Sequence, residues 1–491
     1  MTAALSRLNV TTLIRELLHR HKTLLREKHR WRITARAVWW LYGVEDGTGV
    51  ASSTSQEYAQ LQICLRALIE AAVCECDKNS GNTPDDFEID VLVGQMATIN
   101  ELGRSSDVLY YQLSDEGTTL YPNGGYSLNT ERLSQMSTPY LIESFGVDYA
   151  KSSANYESWA GKKEELEKEE KDEKESIYDL PAFLKAWEAE YNHSFESFRA
   201  IAAALQNLAV IQKNVVVEVA VEEIEPDLDG YAFTPADVAA FVSAFSLPSR
   251  PTWLAQPPGT LPKEINPWRF QRRLSLMLRP LVAVGPSASQ LIYGVGTFRE
   301  ALGYILDSIG AATFDKDVFR SKEMRSFLGA CVDELGRQFT ELVAGKLREA
   351  GWQTKTELKL TQLLAPKMPN LEDIDVLAWH DDGTVLVIEC KRLKQSKTIA
   401  EIALSCQRFA GNVGDHLHKH LRRAEWVKEN VPKIAKFTKL DADIIRIHTP
   451  LVVSRPVTFK YLQGLPLQAS EIVSIEKLIE YTLKAQLIPL D

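Results

Sequence analysis

The sequence predicts a multidomain protein with a mainly α-helical N-terminal half and a C-terminal α/β domain in the order α-β-β-β-α-β, a mixed sheet flanked by helices. Three observations predict it. A chain of 491 residues exceeds what one hydrophobic core supports, so roughly two to four domains are expected. Apolar residues in the first half recur at helical spacing. After residue 326 the pattern changes to apolar runs on either side of an Asp-Gly turn, the signal of a hairpin.

Within 1–246, "TTLIRELLHRHKTLL" places Leu13, Ile14, Leu17, Leu18 and Leu24 at helical spacing with basic residues on the other faces. "YAQLQICLRALIEAAVCECD" and "FLKAWEAEYNHSFESFRAIAAALQNLAVIQ" repeat that pattern. This half is expected to regulate, recognise or oligomerise, with a second copy or another protein as partner. The run "KKEELEKEEKDEKES" (162–176) is almost free of apolar residues, so it reads as an exposed helix or a disordered insertion. "DDFEIDVLVGQ" (85–95) carries Ile-Asp-Val-Leu, but no acid-x-Lys triplet on a second strand follows, and it reads as structural. Residues 247–268 carry prolines at 248, 251, 257, 258, 262 and 267 and predict a linker or wrapped loop, the best domain boundary in the chain. In 269–325, two short strands around "GPSAS" and the helical "FREALGYILDSIG" suggest a small module.

The last domain, 326–491, opens with an amphipathic helix. Leu328, Val332, Leu335, Phe339, Leu342, Val343 and Leu347 share a stripe, and Gly351 ends it. "QTKTELKL" alternates like a strand, and "EDIDVLAWH", "DDG" and "TVLVIECKRLK" form the hairpin. "TIAEIALSCQRFAG" is the next helix, with Thr398 and Glu401 at capping-box spacing. "DIIRIHTPLVVSR" (443–455) reads as one further strand.

Composition bounds the function. With 45% hydrophobic and 25% charged residues the chain reads as a soluble globular protein, expected in the cytoplasm. No apolar stretch nears the roughly twenty residues of a membrane-spanning helix, and a secretory signal is not evident. The six cysteines form no CxxC pair and read as reduced thiols. Net charge is −10, yet basic residues collect at 15–36 and 391–423, which is compatible with phosphate binding. There is no GxxxxGK[ST], no GxSxG and no Cys/His nucleophile signature.

Strand period then decides which side chains meet. Val387, Glu389 and Lys391 share one face of their strand, and Asp373 and Asp375 share a face of the strand before it. Hairpin pairing brings Asp375 beside Glu389, with Lys391 on the same side. Two carboxylates so close in an apolar setting repel unless a cation or proton lies between them. They form the oxygen set Mg²⁺ prefers, with water and a substrate phosphate completing its shell. Lys391 would hold or activate the attacking water and offset charge on the transition state. A strand-end ion pair between Glu389 and Lys391 is the plain structural alternative. Arg392, Lys394 and Arg408 add positive charge nearby, and "GDHLHKHLRRAEW" reads as a phosphate-facing or solvated helix.

Asp375 followed by Glu389-x-Lys391, on a hairpin after an amphipathic helix and a strand, resembles the PD-(D/E)xK nuclease superfamily. "GRQFTELVAGKLREAGW", "DIDVLAW" and "VIECK" look most like its Mrr-like, restriction-endonuclease-like branch, over about residues 326–455. The resemblance implies a restriction-endonuclease-like core, phosphodiester hydrolysis with Mg²⁺ (Mn²⁺ substituting), and DNA as substrate ahead of RNA. It implies Asp375, Glu389 and the backbone carbonyl of Cys390 as metal ligands, with Lys391 next to the water. Of the Gln-x-x-x-Tyr often found on the next helix of RecB-like domains, Gln407 is present as a candidate to place substrate and Gly411 stands in place of the Tyr. The acid that Mrr-like helices place after the residue equivalent to Phe339 is here Thr340, with Glu341 one residue late. A bacterial defence or restriction-like role is the expected setting. The alternative is an inactive nuclease fold kept as a nucleic-acid-binding or scaffold component.

Overall fold

The computed structural model describes residues 1–78, 80–114, 118–122, 125–144, 179–225, 233–285, 289–363 and 373–487. The charged run 162–176 lies outside them. Two compact units result, one of Met1–Ser106 with Glu169–Cys331 and the other of Asp107–Lys168 with Val332–Asp491.

In the first unit, helix α1 (Val10–Glu75) runs 66 residues without a break in its helical assignment. Straight, it would be about 100 Å long. Yet Trp31 Nε1 donates to Ser55 Oγ at 3.2 Å and Lys28 Nζ to Gln62 Oε1 at 2.7 Å, so the chain folds back between Trp31 and Ser55. The two arms bury Leu13, Leu17, Leu68 and Ile69 in one core with Leu92 and Met96 of α2 (Asp86–Tyr110). Two of the basic residues of the first arm are paired with acids of the same unit: Arg20 meets Asp86 at 2.7 Å and Asp90 at 2.5 Å, and Arg15 meets Glu218 at 2.5 Å. The "FLKAWEAEY…" pattern divides into α3 (Leu180–Tyr191) and α4 (Phe195–Gln212). Asn192 in the left-handed region ends the first helix, and Ser194 caps the second by accepting from Ser197 N. Strand β1 (Val216–Ala220) and helix α5 (Pro235–Phe245) follow.

The Pro-rich stretch 247–268, expected as a linker or a wrapped loop, is wrapped into this unit and does not mark its boundary. Leu247 N donates to Leu281 O at 2.8 Å, and Trp253, 4% exposed, has its N–H on Glu75 Oε1 at 2.8 Å. Proline denies the stretch regular structure, but its side chains and remaining N–H groups still find partners. Nor does 269–325 stand alone. Its strands β2 (Val282–Val284) and β3 (Gln290–Gly294) form a three-stranded antiparallel sheet with β1, in the order β1-β3-β2. Helix α6 (Val295–Gly310) then buries Phe298, Ala301 and Ile305.

The second unit is a mixed six-stranded sheet between helices. After α7 (Lys322–Glu349) come β4 (Gln353–Leu358), β5 (Ile374–Trp379) and β6 (Thr384–Lys391), paired antiparallel in succession. Gly383 makes the turn possible: its φ is +90°, and a Cβ there would sit 2.2 Å from Ile444 O. Helices α8 (Ile399–Arg408), α9 (His416–Glu429) and α10 (Val431–Thr438) lead to β7 (Arg446–His448) and β8 (Leu451–Val453). These two strands, expected as one, lie parallel to β6 in a single register and are interrupted at Thr449-Pro450. Pro450 has no N–H to give the ladder, although its carbonyl still accepts from Glu389 N at 3.2 Å. Strand β9 (Ile472–Ser474) pairs parallel with β8, and α11 (Leu478–Leu487) closes the described chain.

The strand period sorts the two faces. Val376, Ala378, Leu386, Ile388 and Cys390 face α7 through Phe339, Val343 and Leu347. Leu377, Val385 and Val387 face Trp426, Val427 and Ile434 of α9 and α10. Among the described residues no helix is long and apolar enough to cross a membrane.

Candidate active site

Val376 pairs with Ile388 in the β5–β6 hairpin, so the next pair in that register is Asp375 with Glu389. Both side chains, with Lys391, belong to the face turned toward α9. Lys391 Nζ lies 2.6 Å from Glu389 Oε1, and Asp375 Oδ2 accepts from Cys390 N at 2.8 Å. The triad read from strand period is therefore assembled. The Cys390 thiol points the other way and is buried against Thr340.

A fourth group completes the cluster. Arg423 of α9, 3% exposed, places a guanidinium nitrogen 2.6 Å from Glu389 Oε2. It also donates to the carbonyls of Asp373 and Lys419, which fix its plane. His420, one turn before, is 1% exposed and meets Thr449 O through Nε2 at 3.0 Å. A carbonyl can only accept, so that nitrogen carries the proton. Burial holds the His420 pKa down and keeps the ring neutral.

The two carboxylates are thereby driven apart. Burial would raise Glu389, but Lys391 and Arg423 outweigh it and hold the carboxyl below its usual range. Asp375 has no ion pair among the described residues. Burial first, and then the negative charge of Glu389, push it up to about 6. Lys391 is raised: burial would lower it, but Glu389 and Asp375 prevail, so it carries its proton at neutral pH. The site keeps one acid ionised by internal cations and leaves the other short of a positive charge.

Among the described residues no group of three or more His, Cys, Asp and Glu side chains gathers as metal ligands. The donor set is two carboxylates on one strand pair. That fits Mg²⁺, which takes one or two carboxylates and completes its octahedron with water and substrate phosphate. Asp375, half-buried beside another acid and without an ion pair among the described residues, is the observation that favours the fit. Glu341 does not join. It is exposed, accepts from Thr356 Oγ1 at 2.7 Å and lies 3.3 Å from Arg348. The helix that carries it packs on the face opposite Asp375 and Glu389.

The expected substrate-placing residues divide. Gln407 and Arg408 are exposed and line an open hollow of about 570 Å³ with Asn412, His416 and Lys419. His416 ties this hollow to the site: its pKa is lowered by burial and then by the nearby charge of Lys391. Lys394 instead pairs with Glu401 at 3.5 Å, and Arg392 is half-buried. Arg423 and His420 were expected only as part of a solvated or phosphate-facing helix. A signal was present, because they fall on the same helical stripe as Leu417, Ala424 and Val427, all buried.

No curated protein and no solved structure matches the chain significantly. A profile of one family, described as anti-phage protein Upx-like, matches residues 1–479 and so covers both units. The chain belongs to the Upx-like family of anti-phage proteins.

Proposed function

We propose that the protein hydrolyses nucleic-acid phosphodiester bonds with a divalent metal, DNA ahead of RNA, and that this activity serves defence against phage. The observation that carries the reading is Asp375 facing Glu389 across a hairpin, with Lys391 2.6 Å from Glu389. From α7 to β8 the chain runs through a helix, three strands, three helices and two strands in one register, which accommodates the α-β-β-β-α-β order of the PD-(D/E)xK core and supports the same reading. Membership of an anti-phage family supports the defence role.

The carboxylates of Asp375 and Glu389 and the carbonyl of Cys390 would hold Mg²⁺ or Mn²⁺. Bound there, the metal would supply Lewis-acid stabilisation of charge on the phosphate. This chain's residues do the rest. In the metal-free chain Glu389 and Asp375 hold the proton on Lys391; with the carboxylates on a metal, Lys391 would hold or activate the attacking water and offset charge on the phosphate oxygens. Arg423 fixes Glu389 from behind. Gln407, Arg408 and Lys419 present donors from the adjoining hollow to the substrate backbone.

The test is cleavage of supercoiled plasmid DNA with Mg²⁺ by the full chain and by Lys391→Ala. The reading expects nicked and linear products from the parent and a loss of at least about hundredfold in the variant. Equal cleavage by the two, or cleavage undiminished by chelator, contradicts it. A second reading, a nucleic-acid-binding scaffold without turnover, is favoured by the cations that already occupy both oxygens of Glu389. It expects salt-sensitive DNA binding and no cleavage.

A further inference from the structure

The first unit contains a cavity of about 180 Å³ that the nuclease reading does not use. Arg273, Arg279 and Arg320 line it, together with Tyr191, Asn192 and Ser243. Arg273 is neutralised by the fully buried Glu264, 3.2 Å away. Arg279 gives Nε to the Arg273 carbonyl at 3.1 Å, and one terminal nitrogen to the carbonyls of Ser243 and Ser246 at 3.0 Å each. Those acceptors are neutral, so they orient the group at the C-terminal end of α5 without discharging it.

Arg320 is exposed, and among the described residues its side chain has no hydrogen bond or ion pair. Burial, and then the charges of Arg320 and Arg273, work against the protonated form of Arg279, which places the three cations within reach of one another. Glu190 also lines the cavity, but both its oxygens accept from the backbone N–H of Arg320 at 3.0 Å, and one accepts from Ser321 N at 2.7 Å. Three cations thus face two carboxylates, and a positive charge is left over. The Tyr191 hydroxyl has no hydrogen-bond partner among the described residues and lies close enough to Arg279 to feel its charge.

Arginines brought to one cavity from different segments suit a tetrahedral oxyanion, whose several oxygens each take a donor. The cavity is smaller than the roughly 300 Å³ at which pockets begin to hold drug-sized ligands, so it admits a phosphate or diphosphate and not a whole nucleotide. We propose that this cavity binds a phosphate group, either free or as the terminal group of a larger molecule that remains outside. Recognition rests on Arg320 and Arg279 for charge and on Tyr191 for an added donor. The inference is independent of the reading of Asp375, Glu389 and Lys391.

The test is calorimetric titration of the full, metal-free chain with inorganic phosphate, pyrophosphate and a nucleoside triphosphate. Saturable binding is expected, at least tenfold weaker in Arg320→Ala and weaker again in Arg320→Glu. Circular dichroism of both variants should match the parent, since Arg320 holds nothing else through its side chain. A free oxyanion as natural ligand gives inorganic phosphate at least the affinity of the triphosphate, and a terminal group on a larger molecule gives the reverse order. No saturable binding in any titration, or binding left unchanged by Arg320→Glu, overturns the proposal.

Discussion

Each unit buries a cluster of opposite charges, and the two clusters are built differently. In the first, Glu70 (5% exposed) receives Arg272 at 2.8 Å and the N–H of Leu276 at 3.0 Å. Glu264 likewise receives Arg273 and the N–H of Leu274, each at 3.2 Å. Every acid there has its own guanidinium and its own backbone donor. In the second cluster Glu389 takes both Lys391 and Arg423, while Asp375 takes only a backbone N–H. A cluster that only holds chain segments together gains nothing from leaving an acid short of a cation. A site that must receive one does, which is the physical reason to read the second cluster as functional.

Removing the cation-holding acid from either cluster should have the largest effect. Glu389→Gln strands Arg423, and Glu70→Gln strands Arg272, each as a buried and uncompensated charge. Chemical denaturation should show a loss of about 3 kcal/mol in both. A loss in Glu389→Gln below about 1 kcal/mol would mean that Arg423 does not depend on that carboxylate.

Asp375→Asn should move stability the other way. A carboxyl whose folded pKa lies above its unfolded value binds its proton more tightly in the native state. Native stability therefore falls as pH rises from about 4, the unfolded value, to about 6, and the penalty is complete above that. Asparagine removes the charge and keeps an acceptor for Cys390 N. At pH 8 the variant should be more stable than the parent by about 1–2 kcal/mol, the gain vanishing near pH 4. Denaturation midpoints at the two pH values check this. A destabilised variant at pH 8 would show that Asp375 is an ordinary structural acid, like Glu70.

The smallest effect sharpens the boundary of the site. Glu341→Ala should alter plasmid cleavage less than twofold and stability by no more than about 0.5 kcal/mol, because Glu341 is exposed and held only by Thr356 and Arg348. A large loss of cleavage would place the α7 acid in the reaction after all.

The hairpin and its three polar residues were legible because strands have a period of two and an Asp-Gly turn fixes the register. Asp375, Glu389 and Lys391 could be placed on one face without coordinates. The break at Pro450 was legible in principle, since the residue cannot donate to a ladder, yet the apolar run on both sides read as one strand. Other features lie in no local pattern. Both arms of α1 show helical spacing, but nothing in that spacing says that Trp31 meets Ser55. The prolines of 247–268 announced irregular backbone correctly, while the placing of Trp253 depends on Glu75, far along the chain. Arg423 sits thirty-four positions beyond Glu389, and its basic neighbours hid the one arginine that shares the apolar stripe.

The most direct test of the site is calorimetric titration of Mn²⁺ into the full chain and into Asp375→Asn at pH 8. Two facing carboxylates, one of them short of a cation, predict a saturable Mn²⁺ site in the parent. They also predict its loss in the variant, which should at the same time be the more stable protein. Mn²⁺ binding of equal strength in both proteins, or in neither, would contradict the account.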